Sequence, residues 1–428
     1  MQARKVPHEI KNPMSKTIDS KAFWLLFACL TLIGMGNTML FAVLPPIART
    51  IGMPDWTVSA IFSLSALLWV ITSPIWGRIS DKTGRKPIIV TGLSAYAAST
   101  IMFTLVAFFG LYFDWEWLWV VLALALARCI FGAVGSATSP AVQAYVADAT
   151  SPENRTKEIA ALTSAFSFGS AAGPALASAM LSQLGLLSPL WTVSIFAVIG
   201  AVAANTFLPK IEVKKIEHHE ISENIFKIAF SENVFPWLVC GVTLSAVTAV
   251  IYQQLSFYFI DRLAVDPIEG ASLVAVALSA GAMAQIIAQI GLIPRLRMTP
   301  RGLVVAGTII VACGTCLTIY GNNFGALTSG QILVGLGFGL ARPGFTGGAS
   351  LAVDKKNQGA IAGLVVAANG AGFIVAPIFG AGLYAMVSPQ APFILCSVVL
   401  LALALYSVRH NNLGAKTIEE SPFDSTGI

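Results

Sequence analysis

Residues Gly77-Arg-Ile-Ser-Asp81-Lys-Thr-Gly84-Arg85-Lys86-Pro87 carry five charges in eleven positions. They stand in a chain of 428 residues of which only 11% are charged and 56% are hydrophobic. On either side lie long apolar runs, near 57–76 and 88–110. Each has about the 20 apolar residues a helix needs to cross a hydrocarbon core. A soluble domain carries about 25% charged residues, so this composition excludes an ordinary soluble enzyme. It also excludes a disordered chain, which lacks packing residues. A charged hinge between apolar runs predicts a polytopic membrane protein.

Outward from this hinge, twelve apolar runs follow one another. They lie near 23–48, 57–76, 88–110, 117–145, 159–183, 190–209, 234–260, 270–293, 303–320, 327–352, 360–384 and 392–409. A β-barrel would show short alternating segments instead. The first run is too long for the apolar core of a signal peptide and is read as a retained helix. The fold class is therefore an all-α membrane protein with twelve transmembrane helices. The polar stretch 210–233 divides them into six and six. The domain plan is a tail over 1–22, a bundle over 23–209, a linker over 210–233, a second bundle over 234–410 and a tail over 411–428. His218 and His219 in the linker suit a solvated charged segment better than a metal site.

Basic residues mark the cytoplasmic side. One side holds 22 Lys and Arg, among them Arg78, Lys82, Arg85, Lys86, Arg295 and Arg301. The other holds Arg49 and Arg262 against Asp55, Asp114, Glu116, Asp261, Asp266 and Glu269. Both termini are accordingly predicted to be cytoplasmic. The basic residues encode topology, and no nucleic-acid face is expected. The six cysteines all fall inside spans and read as small packing residues; Cys313 and Cys316 form a CxxC mid-helix. No metal-ligand spacing, P-loop or hydrolase motif is found, so neither an enzyme nor a bound cofactor is expected. Trp115, Trp117 and Trp119 read as an interfacial aromatic belt.

The halves echo each other. Tyr145-Val-Ala-Asp148 ends the fourth span and Leu351-Ala-Val-Asp354 ends the tenth. Gly169-Ser-Ala-Ala-Gly173-Pro174 in the fifth matches Gly372-Phe-Ile-Val-Ala376-Pro377 in the eleventh. Parallel six-helix repeats with a site between them are a transporter plan. Small residues at four-residue spacing let helices approach closely in lipid.

At this point the chain resembles the major facilitator superfamily, over nearly its whole length. The loop 77–87 is similar to that family's GxxxDxxGRK loop. Arg128-xxx-Gly132-xx-Gly135 resembles its intramembrane arginine motif. Gly169, Gly173 and Pro174 resemble the fifth-helix motif of its drug:proton antiporters, as does Leu44-Pro45-Pro46 at the end of the first span. The resemblance implies two six-helix bundles, a small-molecule substrate, a plasma membrane (bacterial inner membrane) location, a monomer and alternating access. It implies that Gly77, Asp81, Gly84, Arg85 and Asp148 form a latch that shuts the two bundles on the cytoplasmic side. A topology-setting basic loop is the competing reading. The second half departs from the pattern, because 294–302 carries no acid.

Two charges lie near mid-membrane, Arg128 and Arg342. Each costs about 2.5–3.5 kcal/mol or more at the bilayer centre. Counted from Asp354, Arg342 lies nearer the cytoplasm than Arg128 does from Asp148. A cavity role for Arg342 competes with a structural one, bonding carbonyls freed near Pro343. No Asp, Glu or His lies deep in any span, so proton coupling has three open routes: a peripheral acid such as Asp148 or Asp114, an anionic substrate, or none. Two buried positive charges point to an anionic or acid-bearing substrate. The remaining cavity candidates are Asn37 and Thr38, Gln143, Tyr252, Gln253, Gln254 and Tyr258, Gln285 and Gln289, and Asn369; helix–helix hydrogen bonding competes for each. The expected function is efflux of small organic compounds, the alternative being movement of a specific anionic metabolite or siderophore in either direction.

Overall fold

A computed structural model describes residues 18–150, 152–211, 225–296, 298–354, 357–410 and 413. His218, His219 and most of both tails lie outside the described residues. Twelve helices match the twelve apolar runs: α1 Ser20–Ile51, α2 Asp55–Thr83, α3 Arg85–Tyr112, α4 Trp117–Ala149, α5 Pro152–Leu184, α6 Ser188–Phe207, α7 Phe235–Leu263, α8 Pro267–Leu296, α9 Pro300–Tyr320, α10 Phe324–Leu351, α11 Gln358–Met386 and α12 Ala391–Arg409. Eleven of these helices are long and apolar enough, among the described residues and by length and composition, to cross a membrane. The sequence of α5 is rich in Ala, Ser and Gly, which serves close packing. α4 contains a 3-10 turn at Gly135–Ala137 and α8 a π turn at Ala288–Leu292.

Local chemistry explains the ends. Asp266 accepts hydrogen bonds from the N–H groups of Ile268 and Glu269 at the start of α8, and Asn323 from Ala326 at the start of α10, which satisfies donors a helix N-terminus leaves free. Gly84, at φ +98°, is the single residue between α2 and α3, a conformation that favours glycine. The prolines of Leu44-Pro45-Pro46 do not end the first helix, which continues to Ile51. The Thr50 hydroxyl donates to the Pro46 carbonyl at 2.9 Å.

The two halves pack alike. α1 lies on α5 as α7 lies on α11; α2 lies on α4 as α8 lies on α10; α3 lies on α6 as α9 lies on α12. Between the halves, α2 meets α11 and α5 meets α8. These two contacts exchange under a pseudo-two-fold axis relating the bundles. One end of the molecule carries Arg78, Arg85 and Asp148, and is called the basic-loop end. The other carries Arg49, Asp55, Asp114 and Asp261, and is called the acidic-loop end.

Candidate functional site

The two buried arginines occupy matching places. Arg128 Nη2 donates to Asn37 Oδ1 at 3.0 Å, from the fourth helix to the first. Arg342 Nη2 donates to Thr248 Oγ1 at 3.0 Å, from the tenth helix to the seventh. Each guanidinium also covers phenylalanine rings: Arg128 lies 4.7 Å from Phe131 and 5.3 Å from Phe62, Arg342 5.6 Å from Phe338. Cation–π contact offsets part of the cost of taking the charge out of water.

This corrects the depth estimate. Asn37 stands 15 residues before the cap Gly52, and Thr248 stands 16 before the cap Ala264. At 1.5 Å per residue these partners lie about 22 and 24 Å from the acidic-loop end. Arg128 starts nearer that end and reaches away from it; Arg342 starts further in and reaches back. The long side chains bring both charges to one level although their backbones differ. The partner of the Arg342 guanidinium is Thr248, and the Thr346 hydroxyl donates to the carbonyls of Arg342 and Pro343 on its own helix.

Between the bundles at mid-span lies a cavity of about 20 Å³, lined by Thr38, Phe41, Ser170 and Pro174 from one half and Tyr252, Leu278 and Ala282 from the other. It has room for about one water, far less than a drug-sized ligand needs. Phe41 and Tyr252 meet there edge to face with ring centres 5.9 Å apart. Thr248 is one turn before Tyr252 on α7, so the Arg342 charge stands beside this cavity. Gln254 Nε2 donates to Ser59 Oγ across the bundles at 3.2 Å. Gln253 is 1% exposed, and its side-chain amide has no hydrogen-bond partner among the described residues, which is costly in an apolar interior.

Other candidates do not gather here. Tyr258 is fully buried inside the second bundle and donates to the carbonyls of Thr318 and Ile319. Gln143 donates to Ser139 on its own helix. Asn369 is exposed, and its carbonyl accepts from Ser245. Gln285 and Gln289 are half-buried on α8, beside and within the π turn.

At the basic-loop end, Arg85 Nε donates to Asp148 Oδ2 at 2.8 Å, and Arg85 Nη1 donates to Asp81 and to the Ser80 hydroxyl. Asp81, Arg85 and Asp148 sit on α2, α3 and α4. In this conformation the triad therefore closes within the first bundle and does not span the two. Gly77 leaves room beside Pro140. Gly169 and Gly173 press on α1: a Cβ at Gly169 would stand 1.9 Å from the Thr31 carbonyl oxygen, and one at Gly173 2.4 Å from that of Met35. Pro174 lies beside them on the cavity wall.

A cluster at the acidic-loop end escaped sequence reasoning. Arg49 donates through Nε and Nη2 to both carboxylate oxygens of Asp55, at 3.2 and 2.8 Å. The same guanidinium donates to both oxygens of Asp261, with Nη2 to Oδ2 at 2.9 Å. The Tyr384 hydroxyl donates to Asp261. Arg49 also lies 4.9 Å above the Phe257 ring. Arg49 belongs to the first bundle; Asp261, Phe257 and Tyr384 belong to the second. The only signal in the sequence was that Arg49 and Arg262 are the two basic residues on a side otherwise acidic.

Comparison with known proteins agrees with this architecture. The sequence profile of the Major Facilitator Superfamily matches residues 26–299 and 295–422. The chain belongs to the Major Facilitator Superfamily. Among its relatives is Multidrug resistance protein 2 of Bacillus subtilis, 24% identical over 404 residues, covering 91% of this chain and 95% of the relative. Quinolone resistance protein NorA of Staphylococcus aureus is 22% identical over 391 residues, covering 90% and 95%. The solved structure of the nucleoside transporter NupG superposes with a TM-score of 0.71 at 14% identity, covering 90% of this chain and 99% of that one. The human organic anion transporter MFSD10 gives 0.62 at 19%, covering 90% and 99%. At these identities the structures show the shared fold alone. This superfamily member is a multi-pass membrane transporter of small molecules and not an enzyme.

Proposed function

We propose that this transporter exports small organic compounds by alternating access, with acid-bearing compounds preferred. One observation carries the reading: two buried guanidinium groups, one per bundle, stand at a common level, Arg342 beside the inter-bundle cavity and Arg128 on a second cavity inside the first bundle, and among the described residues neither is paired with a carboxylate. A ligand carrying negative charge would supply the missing partner, and the Phe41–Tyr252 contact offers an apolar surface beside it. The relatives named for drug resistance support export. Because the present cavity holds about one water, the bundles must rock apart to admit a substrate. The basic-loop end faces the cytoplasm in this reading, in a plasma membrane such as a bacterial inner membrane, with both termini inside and the monomer as the working unit.

Proteoliposomes loaded with fluorescent drug-like anions, neutral analogues, dicarboxylates and siderophores test this, with and without an imposed pH gradient. Gradient-dependent movement of organic anions is the expected result. Movement of one metabolite or siderophore alone favours the second reading, a specific anion transporter, which the same two arginines support. Flux that ignores the gradient excludes proton coupling, and no flux of any probe overturns transport of these classes.

A further inference from the structure

We infer that Arg49, Asp261 and Asp55 form an ion-pair clasp that holds the acidic-loop end shut. Arg49 and Asp261 each stand three residues before the left-handed cap of their helix, Gly52 on α1 and Ala264 on α7. They are thus counterparts in the repeat, and they meet near the axis that relates the bundles. One guanidinium serves two carboxylates. When the bundles part here, Arg49 keeps Asp55, which lies six residues along on its own bundle, and Asp261 loses its cation.

Opening therefore separates two opposite charges, and the Asp261 side chain, 36% exposed in the closed form, must then be solvated by water. The groups that face Asp261 are few. Arg49 comes from α1, Asp55 from α2 and Tyr384 from α11. The neighbouring Arg262 is turned to the Gly321 carbonyl and Asn322. Asp266 caps its own helix. α10 and α12 bring no acidic or basic side chain to this end. A clasp that parts as the bundles rock is a gate of the transport cycle, and so it rests on the transport reading above.

Spin labels at Glu116→Cys and Glu269→Cys, both exposed at this end on different bundles, report the gap by pulsed electron resonance in lipid nanodiscs of the full chain lacking its natural cysteines. At pH 7.5 a short distance should dominate. Asp261→Asn and Arg49→Gln should each raise the long-distance fraction at least threefold. The double exchange Arg49→Asp with Asp261→Arg keeps one guanidinium between two carboxylates and should restore the short distance. Melting temperatures of all variants separate gate opening from loss of fold. An unchanged distance in the single variants, or failure of the double exchange in a folded protein, overturns the clasp. No substrate is needed, so a clasp that behaves as described in a protein that moves no probe would refute the transport reading alone.

Discussion

Arg49 and Asp261 lie 212 residues apart and hold the two halves together at equivalent positions of an internal repeat. Equivalent positions near a two-fold axis face one another, so identical charges there would repel. The repeat places an arginine in one half and an aspartate in the other. The two outer arginines therefore differ in role. Arg262 ties α7 to the α9–α10 loop within its own bundle, with Nε donating to the Gly321 carbonyl at 2.9 Å.

Arg262→Gln should lower the melting temperature modestly, by the loss of hydrogen bonds worth about 1 kcal/mol each. It should leave the distance between the bundles unchanged. Calorimetry beside the Glu116–Glu269 distance measurement checks both; a lengthened distance would show that the two arginines act together.

The partners of Arg85 should also differ. Asp148 is 9% exposed and Asp81 61% exposed, while Arg85 itself is 4% exposed. Removing the buried acid leaves a poorly compensated buried charge, at a cost of up to about 3 kcal/mol. The exposed pair contributes at most about 1 kcal/mol. Asp148→Asn should therefore lower thermal stability in detergent more than Asp81→Asn does. Asp81→Asn should act mainly on turnover, with insertion intact; equal melting temperatures for the two would contradict this.

Gly169→Ala should damage the fold of the first bundle. Its Cβ would fall 1.9 Å from the Thr31 carbonyl oxygen, and a backbone atom in a buried helix crossing cannot turn aside as a side chain can. Reduced monodisperse yield and a lower melting temperature are expected. By contrast, Gly363→Ala on α11, where an added Cβ meets nothing within 4 Å, should behave as the parent protein.

Arg342→Gln should separate substrates by charge. Loss of a charge-assisted hydrogen bond is worth about 1.5–3 kcal/mol, so KM for an acid-bearing probe should rise at least tenfold. A neutral analogue should be moved much as before. Paired flux measurements in liposomes decide the matter, and an equal loss for both probes would point to a structural role through Thr248.

Twelve helices, their order and the two stranded arginines were all legible in the sequence, because length, hydropathy and the cost of a charge in lipid are properties of each segment alone. The loop triad was legible too, since Asp81, Arg85 and Asp148 mark helix ends that a short hinge and the repeat place together. Leu44-Pro45-Pro46 misled, because neighbouring turns absorb proline's missing hydrogen bonds inside a packed helix. What only the tertiary structure decided are the relations between helices remote in sequence: Arg342 with Thr248, Gln254 with Ser59, and Arg49 with Asp261. Periodicity tells which side of a helix is apolar, and it carries no information about how two rigid bundles lean on each other. That lean alone turned four outer residues, read as topology markers or overlooked, into a contact between the halves.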